Sequence, residues 1–331
     1  MPFLAKSSVL SISSSQEFEK VALDLFKYQA IHNPIYKKYL HLLNVVPANI
    51  TTIENIPFLP IELFKSCDVT TASNKQEGVF LSSATTGQVQ SRHLVDSFEW
   101  YEQVYLKTFD HFYPDLKEAS FFCLLPSYLE REGSSLVVMA DGLIKRSQSP
   151  LSGFYLNNYQ ELSNGLKKAL VSDHKVVLLG VTFGLLDYLD QFETDLDLSS
   201  AVVMETGGMK GRRKELLRSE VHELLIKGFQ LTKVHSEYGM TELTTQAYSK
   251  GNGLFHCPPW MKVLIRESSD PLSLQKKSKA GGINIIDLTN TETCAFLATS
   301  DLGKIYPDGS FEVLGRFDHA DVRGCNLLVL E

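Results

Sequence analysis

The chain has 331 residues, of which 44% are hydrophobic and 21% are charged, and its formal net charge is −7. These fractions are typical of a globular protein with a packed core and exclude a largely disordered chain. The acidic balance argues against a general nucleic-acid binder, because neutralising phosphates needs a surplus of Lys and Arg on one face.

The first 75 residues are predicted to form a mostly helical preface. The serines at 13–15 can cap a helix, and apolar residues then recur at helical spacing: Phe18, Val21, Ala22, Leu25 and Phe26. A second helical pattern covers residues 36–43. In the segment IPFLPIELFK that follows, Pro57 and Pro60 break the helical pattern and impose an extended backbone.

Residues 76–250 are predicted to form an α/β core. Continuous apolar runs bounded by turn-forming residues indicate buried strands: EGVFLSS, ASFFCLLPS, KVVLLGV and SSAVVMET. Amphipathic segments between them indicate helices: SFEWYEQVYLKTF, REGSSLVVMADGLIKR, TFGLLDYLDQF and GRRKELLRSEVHELLIKG. This alternation predicts an α/β fold with a mainly parallel sheet covered by helices.

Residues 251–331 are predicted to form a smaller β-rich subdomain. Short alternating segments are separated by turn signals there: GGINIIDLTN, TCAFLATSDLG and GSFEVLGRFDH. We therefore expect an antiparallel sheet or barrel after the α/β core.

Cysteine usage and hydropathy predict a reduced, cytoplasmic protein with no membrane partner. The five cysteines are widely spread and include no C-x-x-C pair. The amino terminus, MPFLAKSSVLSISSS, lacks the continuous apolar core of a signal peptide. No apolar stretch approaches the roughly 20 residues that a membrane helix needs.

The run SSATTG at residues 82–87 follows the first predicted strand of the core. Its small and hydroxyl residues bury little surface, but they let backbone amides and hydroxyls converge on an anion without steric blockage. The run therefore predicts a phosphate cradle, with an ordinary polar loop as the alternative.

Four other stretches combine chemically active residues, and most of them follow predicted strands: ETGGMKG at 205–211, EYGMTE at 237–242, TSDLG at 299–303 and LGRFDHADVRG at 314–324. Open α/β sheets bind their ligands at the carboxyl ends of the strands. Together the stretches offer an aromatic ring for stacking, a carboxylate for Mg²⁺, an aspartate for ribose hydroxyls and arginines. We therefore expect one nucleotide site built from all five motifs.

The order of these motifs resembles that of the adenylate-forming superfamily, which includes acyl-CoA synthetases, firefly-type luciferases and nonribosomal-peptide adenylation domains. Within it, IPFLPIELFK, SSATTGQVQSRH and RFDHADVRGCNLL look most like the acyl-protein synthetases of bacterial bioluminescence. Phenylacetate-CoA ligase is the next most similar, because its tail has RGVN where this chain has RGCN at 323–326. The resemblance implies the large N-terminal domain of an enzyme that uses ATP and Mg²⁺ to activate a carboxylic acid as acyl-AMP, with a fatty acid as the expected substrate.

The resemblance assigns phosphate binding to the first loop. Its residues would hold the β- and γ-phosphates of ATP: Ser82, Ser83, Thr85, Thr86 and Gly87. Ala84 replaces the usual glycine, and the family's Pro-Lys pair falls on Val89 and Gln90. Arg92 is the candidate substitute for the missing lysine charge, with an ordinary surface arginine as the alternative.

The resemblance assigns the remaining roles to the later motifs. Thr241 would bond the α-phosphate or the substrate carboxylate, and Glu242 would hold Mg²⁺, so these two are predicted to be catalytic. The other expected nucleotide contacts are Tyr238 stacking on adenine with Gly239 and Met240 beside it, Gly207 and Gly208 along the adenine and acyl side, and Asp301 and Arg316 at the ribose. His93 and His235, which flank motifs, are candidates for contact with the acyl group.

The carboxyl-terminal residues bear on the final acceptor. Two-domain members of the superfamily have a lid domain after this point, whereas this sequence ends seven residues beyond Gly324, so we expect no lid. Acyl-protein synthetases pass the acyl group to a cysteine near their carboxyl terminus, which makes Cys325 the predicted acceptor. Arg323 beside it would lower the pKa of the thiol, and the alternative is a small apolar residue packed at a strand end. The interval from Asp318 to Arg323 is one residue shorter than usual, so the alignment of this tail is open.

Three functions are compatible with these features. The first is an acyl-protein synthetase whose partner is an acyl-accepting reductase or a carrier protein. The second is an acyl- or aryl-CoA ligase of the phenylacetate type. The third is a degenerate adenylate-binding subunit, which Ala84 and the missing loop lysine favour.

Overall fold

The structure is a computed structural model that describes residues 6–71, 76–83, 89–126, 133–156, 158–172, 174–192, 196–208, 216–275 and 279–317. Within these ranges the α-helices are α1 (Lys6–Val9), α2 (Ser15–His32), α3 (Pro34–Leu42), α4 (Leu63–Ser66), α5 (Phe98–Phe112), α6 (Ser135–Ser147), α7 (Tyr159–Leu170), α8 (Thr182–Gln191) and α9 (Arg218–Phe229). The strands are β1 (Leu59–Pro60), β2 (Gly78–Leu81), β3 (Arg92–Val95), β4 (Ser120–Leu124), β5 (Gly153–Phe154), β6 (Val176–Val181), β7 (Val202–Thr206), β8 (His235–Tyr238), β9 (Ala247–Ser249), β10 (Leu254–His256), β11 (Met261–Arg266), β12 (Gly281–Asp287), β13 (Phe296–Ile305) and β14 (Phe311–Arg316).

Twelve of the described strands form one mixed sheet. Its order is β11-β12-β13-β14-β10-β9-β8-β7-β6-β4-β5, and β1 pairs in parallel with β13. The strands from β8 to β5 run parallel, whereas every neighbouring pair from β8 to β11 is antiparallel. The predicted α/β class is confirmed as one large mixed sheet, in which four neighbouring pairs along this order are parallel and six are antiparallel.

The parallel part forms where the sequence has continuous apolar runs. Every residue of β4 and of β6 is buried, as expected for strands that are covered on both faces. Helices α5 to α9 supply the cover, and their apolar residues join those of the strands in one hydrophobic cluster. The carboxyl ends of β7 and β8 therefore lie side by side at the same end of a well-packed sheet.

The predicted strand EGVFLSS exists as β2, but its place in the parallel sheet was wrong. β2 pairs antiparallel with β3 in a separate two-stranded ribbon. In β3 the burial alternates, so that His93 and Val95 are buried while Arg92 is exposed. A strand with one buried face suits a ribbon that lies on the protein surface, and a central parallel strand would need both faces apolar.

The helical preface packs on the antiparallel part of the sheet. Helix α2 begins with a capping box formed by Ser14 and Glu17, and its apolar face joins a second hydrophobic cluster with β11 to β14. The buried side chain of Gln29 donates to the carbonyls of Asn290 and Thr291, over 3.0 and 3.1 Å. The division into units at 1–75, 76–250 and 251–331 stays a prediction.

None of the helices in the described ranges is both long enough and apolar enough to cross a lipid bilayer.

Candidate functional site

Three predicted nucleotide contacts meet where β8, β13 and β14 approach one another. The Tyr238 hydroxyl donates to Oδ2 of Asp301 over 2.8 Å, and Nε of Arg316 lies 3.5 Å from Oδ1 of the same carboxylate. The register of β13 and β14 sets Asp301 directly opposite Arg316. Burial raises the pKa of Asp301, although the Tyr238 hydroxyl and the Arg316 charge act in the opposite direction. A single polar cluster therefore joins the YGMTE, TSDLG and GRFD motifs.

The Tyr238 ring is almost covered, because only 8% of the residue is exposed. It packs against Phe255 and Phe311, with centroid distances of 5.8 and 5.6 Å. Such packing fixes the ring and its hydroxyl in one orientation. Stacking of adenine on this ring stays a prediction.

Glu242 is a buried carboxylate at the end of the same loop. Burial raises its pKa, whereas a hydrogen bond from Ser91 and the charges of Arg316 and Lys65 act to lower it. A divalent cation would offset the cost of keeping this carboxylate charged, and a carboxylate oxygen is a ligand that Mg²⁺ accepts. Among the described residues, no group of three His, Cys, Asp or Glu side chains could hold a metal by itself. Glu242 could therefore supply one ligand to a cation, and its role in holding Mg²⁺ stays a prediction.

The base of the predicted phosphate loop is closed by hydrogen bonds between its two limbs. The Ser82 amide donates to the Ser91 carbonyl over 3.1 Å, and the Ser91 amide donates to the Ser82 hydroxyl over 2.8 Å. The Gln90 side chain donates to the Ser82 carbonyl over 2.6 Å. Because His93, two residues beyond Ser91, bonds the Thr241 carbonyl, the loop base lies beside the YGMTE loop. Ser83 is exposed there, while Thr85, Thr86 and Gly87, together with Ala84, lie outside the described residues.

Arg92 lies on the opposite face of β3 from His93, which contacts the YGMTE loop. Its guanidinium lies 3.3 Å from the Asp68 carboxylate, and both side chains are 53% exposed. Such a surface pair is worth little to stability. The structure therefore places Arg92 in a surface ion pair on the side away from Thr241, and its role as a substitute for the loop lysine stays a prediction.

The glycines of the motifs differ in what surrounds them. Gly207 has φ +76° at the turn after β7, which favours glycine. A Cβ on Gly239 would come within 2.4 Å of the Glu237 carboxylate, so a side chain cannot be added there without displacement. A Cβ on Gly208 would meet no atom of the described residues within 4 Å. Among those residues, Gly208 therefore borders open space at the carboxyl end of β7.

Two predicted residues of the YGMTE loop have different environments. Met240 is half-buried and packs against the hydrophobic cluster of the preface and the antiparallel strands. The Thr241 hydroxyl makes no hydrogen bond to any residue in the described ranges, whereas the Thr241 carbonyl is bound by His93. Thr241 thus has a fixed backbone and a hydroxyl available to a ligand.

Asp287 holds the segment that follows Glu242, and sequence reasoning missed it. This fully buried carboxylate accepts hydrogen bonds from the amides and hydroxyls of Thr244, Thr245 and Thr289. The available signal was an aspartate at the end of an apolar strand, two residues before a threonine, which is typical of side-chain capping of a turn. Asp287 therefore gives the YGMTE loop a rigid support.

A second buried cluster, also missed, lies behind Gly207. Oε1 of Glu205 lies 3.6 Å from the His222 ring and 3.7 Å from the Arg218 guanidinium, and the Thr182 hydroxyl donates to Oε2 over 3.0 Å. Burial acts to raise the pKa of Glu205, but the contacts with His222 and Arg218 outweigh it, so that the pKa is lowered. The cluster ties α8 and α9 to β7.

His235 does not reach the motif loops. His235 lies at the start of β8, and its Nδ1 is 3.0 Å from the Tyr113 hydroxyl oxygen. Burial, together with the positive charges of Lys233 and Lys250, lowers the pKa of His235 to about 4. Near it is an open groove of about 970 Å³ at the amino end of β8, opposite the edge where the motifs meet. The acyl-contact role of His235 stays a prediction.

Cys325 and Arg323 lie outside the described residues.

Comparisons with known proteins agree with this picture at the level of the fold. No protein-family model matches the sequence, and none of the curated proteins compared with it matches either. ATP-bound MatB from Rhodopseudomonas palustris is similar over 74% of this chain and 49% of MatB, with a TM-score of 0.55 and 15% identity. The chain has the fold of the large N-terminal domain of adenylate-forming acid-activating ligases.

The similarity to 2-hydroxyisobutyryl-CoA ligase is more extensive. An open conformation of that ligase with 2-HIB-AMP and CoA matches 93% of this chain and 77% of its own, with a TM-score of 0.68 and 12% identity. Its postadenylation state with R3-HIB-AMP matches 93% and 69%, with a TM-score of 0.69 and 13% identity. The chain spans about half the length of MatB and about three quarters of the open ligase.

Proposed function

We propose that the protein uses ATP to activate a carboxylic acid, most simply a fatty acid, and then transfers the acyl group to a protein thiol. The observation that carries this proposal is the joining of separate motifs by contacts: Tyr238 with Asp301 and Arg316, and strand β3 with the YGMTE loop through the bond of His93 to Thr241. The similarity to ligases whose structures contain ATP or an acyl-adenylate supports it.

The proposed reaction has two steps. A carboxylate oxygen of the acid attacks the α-phosphorus of ATP, the bond from that phosphorus to the bridging oxygen breaks, and pyrophosphate leaves with the electron pair. The Thr241 hydroxyl donates to the oxygens on which negative charge increases, and such oriented donors stabilise a transition state. Glu242 would hold Mg²⁺, which neutralises phosphate charge. In the second step a thiolate attacks the acyl carbon and AMP leaves.

The resemblance stated from the sequence points to Cys325 as the thiol. Burial raises the pKa of the Cys257 and Cys294 thiols to about 12, and it also raises that of Cys123, which makes these three poor nucleophiles at neutral pH. Cys67, which directly follows α4, is half-buried, and replacing it provides a matched control for replacing Cys325.

We expect radiolabelled fatty acid plus MgATP to leave hydroxylamine-sensitive label on the denatured protein. Cys325→Ser should abolish that label because the nucleophile is gone, while ATP–pyrophosphate exchange continues. Cys67→Ser should keep both activities. Label retained by Cys325→Ser contradicts the assignment of the acceptor.

A CoA ligase is the second candidate, because a ligase that is similar over 93% of this chain was crystallised with CoA. Label found only on added CoA would favour it. An absence of exchange with every acid of a broad panel would favour a degenerate adenylate-binding subunit, and would reject adenylation itself.

Gly208 allows nucleotide binding to be separated from folding. We expect Gly208→Val to lower the affinity for MgATP tenfold or more, because the new side chain would fill the open space that the proposal gives to the nucleotide. The free energy of unfolding should change little, since a Cβ there meets no atom of the described residues within 4 Å and Gly208 is not among the glycines with positive φ. Calorimetric titration and urea unfolding measure the two quantities. Unchanged ATP affinity would remove Gly208 from the proposed site.

A further inference from the structure

His93 is a buried histidine on β3 whose two ring nitrogens both contact polar atoms behind the candidate site. It is 2% exposed and lies between the edges of the Phe64 and Phe80 rings. Nδ1 lies 2.7 Å from the Thr241 carbonyl oxygen, and Nε2 lies 3.2 Å from the Thr293 hydroxyl. The β2–β3 ribbon is thereby attached to the backbone of the loop that carries Thr241 and Glu242.

The donors and acceptors in this network can be assigned. A carbonyl oxygen only accepts, so Nδ1 of His93 must carry the proton that is shared with Thr241. The Asn290 side-chain amide donates to the carbonyls of Glu242 and Cys294, over 2.9 and 3.0 Å. Its oxygen consequently accepts from the Thr293 hydroxyl. Because the single Thr293 hydroxyl proton is used there, Nε2 of a neutral His93 approaches the Thr293 oxygen without a shared proton, and the bond from Nδ1 to Thr241 is the one hydrogen bond of the ring in this network. Two successive carbonyls, those of Thr241 and Glu242, are therefore held by side-chain donors from behind.

We propose that His93 is a positioning residue for adenylation, whose Nδ1–H fixes the Thr241–Glu242 peptide so that the Thr241 hydroxyl and the Glu242 carboxylate face the nucleotide. This inference rests on the proposed function. It assigns His93 to the backbone of the site, whereas the sequence had suggested contact with the acyl group.

The charge state of His93 fits this role. Burial lowers the pKa of His93 below its ordinary 6.5, against the effects of the Thr241 carbonyl, the Asp287 charge and the Asn290 side chain. A neutral ring still has one N–H, and the geometry requires it on Nδ1. The bond to Thr241 therefore persists at neutral pH.

Two substitutions of opposite geometry test the proposal. In His93→Asn the amide nitrogen can occupy the place of Nδ1, whereas in His93→Gln it extends towards the place of Nε2. We expect His93→Gln to lower kcat for ATP–pyrophosphate exchange about tenfold, as the loss of one oriented hydrogen bond predicts. Its KM for ATP should rise by less than the fall in kcat. His93→Asn should stay within about threefold of wild type, and both variants should unfold at similar urea concentrations.

The outcomes distinguish failure of the positioning role of His93 from failure of the proposed adenylation activity. Equal impairment of the two variants, or no impairment of His93→Gln, overturns the positioning role while adenylation by the wild type stands. Nitrogen-15 spectra of histidine-labelled wild type give a readout that needs no substrate: a neutral ring protonated on Nε2 overturns the inference, and one protonated on Nδ1 supports it. No exchange and no MgATP binding by the wild type overturns the proposed function, and with it the purpose given to His93.

Discussion

Replacing Thr241 with valine should lower the rate of acyl-adenylate formation about a hundredfold or more, the usual cost of removing one well-placed donor to a reacting centre. Valine has nearly the same shape as threonine and keeps the carbonyl that His93 binds, so only the hydroxyl is lost. That hydroxyl makes no hydrogen bond within the described ranges, and its loss should leave folding almost unchanged. Exchange of labelled pyrophosphate into ATP in the presence of the best acid measures the rate.

Thr232→Val is a suitable control for this substitution. Thr232 is exposed beside the groove at the amino end of β8, on the opposite edge of the sheet from the motifs. Thr232→Val removes the same kind of hydroxyl at a position away from the site, so the rate of exchange should equal that of the wild type. Equal exchange by Thr241→Val and Thr232→Val would sink the catalytic assignment of Thr241.

Replacing Asp287 with alanine should lower the free energy of unfolding by about 3 kcal/mol or more. The substitution leaves the amides and hydroxyls of Thr244, Thr245 and Thr289 without their common acceptor, and each unsatisfied buried donor costs about 1–3 kcal/mol before relaxation. Against a typical total of about 5–15 kcal/mol, this is a large loss. Urea unfolding followed by circular dichroism measures it.

A milder substitution and a control variant accompany the measurement on Asp287→Ala. Asp287→Asn keeps one acceptor oxygen and should destabilise the protein less than alanine does. Asp270→Ala removes an aspartate that accepts from the Leu272 amide and the Ser273 hydroxyl in an exposed turn, where water replaces the lost acceptor, and it should have little effect. An unfolding curve of Asp287→Ala that coincides with that of Asp270→Ala would contradict the supporting role of Asp287.

The sequence predicted those parts of the fold in which local pattern and tertiary environment agree. The apolar runs of β4, β6 and β7 and the amphipathic patterns of α5, α6 and α8 emerged as strands and helices. The sequence also predicted that Tyr238, Asp301 and Arg316 would meet, on the argument that motifs at strand ends share one edge of a parallel sheet. In the structure the antiparallel pairing of β13 with β14 sets Asp301 opposite Arg316, and Tyr238 at the end of β8 bonds Asp301.

Elements that depend on distant partners could not be predicted in this way. β2 has an apolar run like that of a central strand, and only its pairing with β3 across the phosphate loop places it in a ribbon. Helix α7 carries Asn164 and Gly165 in its middle, which weakens its local signal, and its cover of β4 and β6 stabilises it.

The supports of the site were missed for a related reason. His93 lies 148 residues from the Thr241 carbonyl and Asp287 lies 43 residues from the Thr244 amide, so no local pattern reveals these two partners. A buried titratable residue at the end of a strand was the single available indication.

The bonds from Gln29 of α2 to the carbonyl of Asn290, 261 residues later, have a consequence for synthesis on the ribosome. At about 5–20 residues per second, the apolar face of α2 waits on the order of 10–50 s before the strands that cover it emerge. We expect the nascent preface to be a preferred binding site for chaperones, and fragments that end before β12 to aggregate.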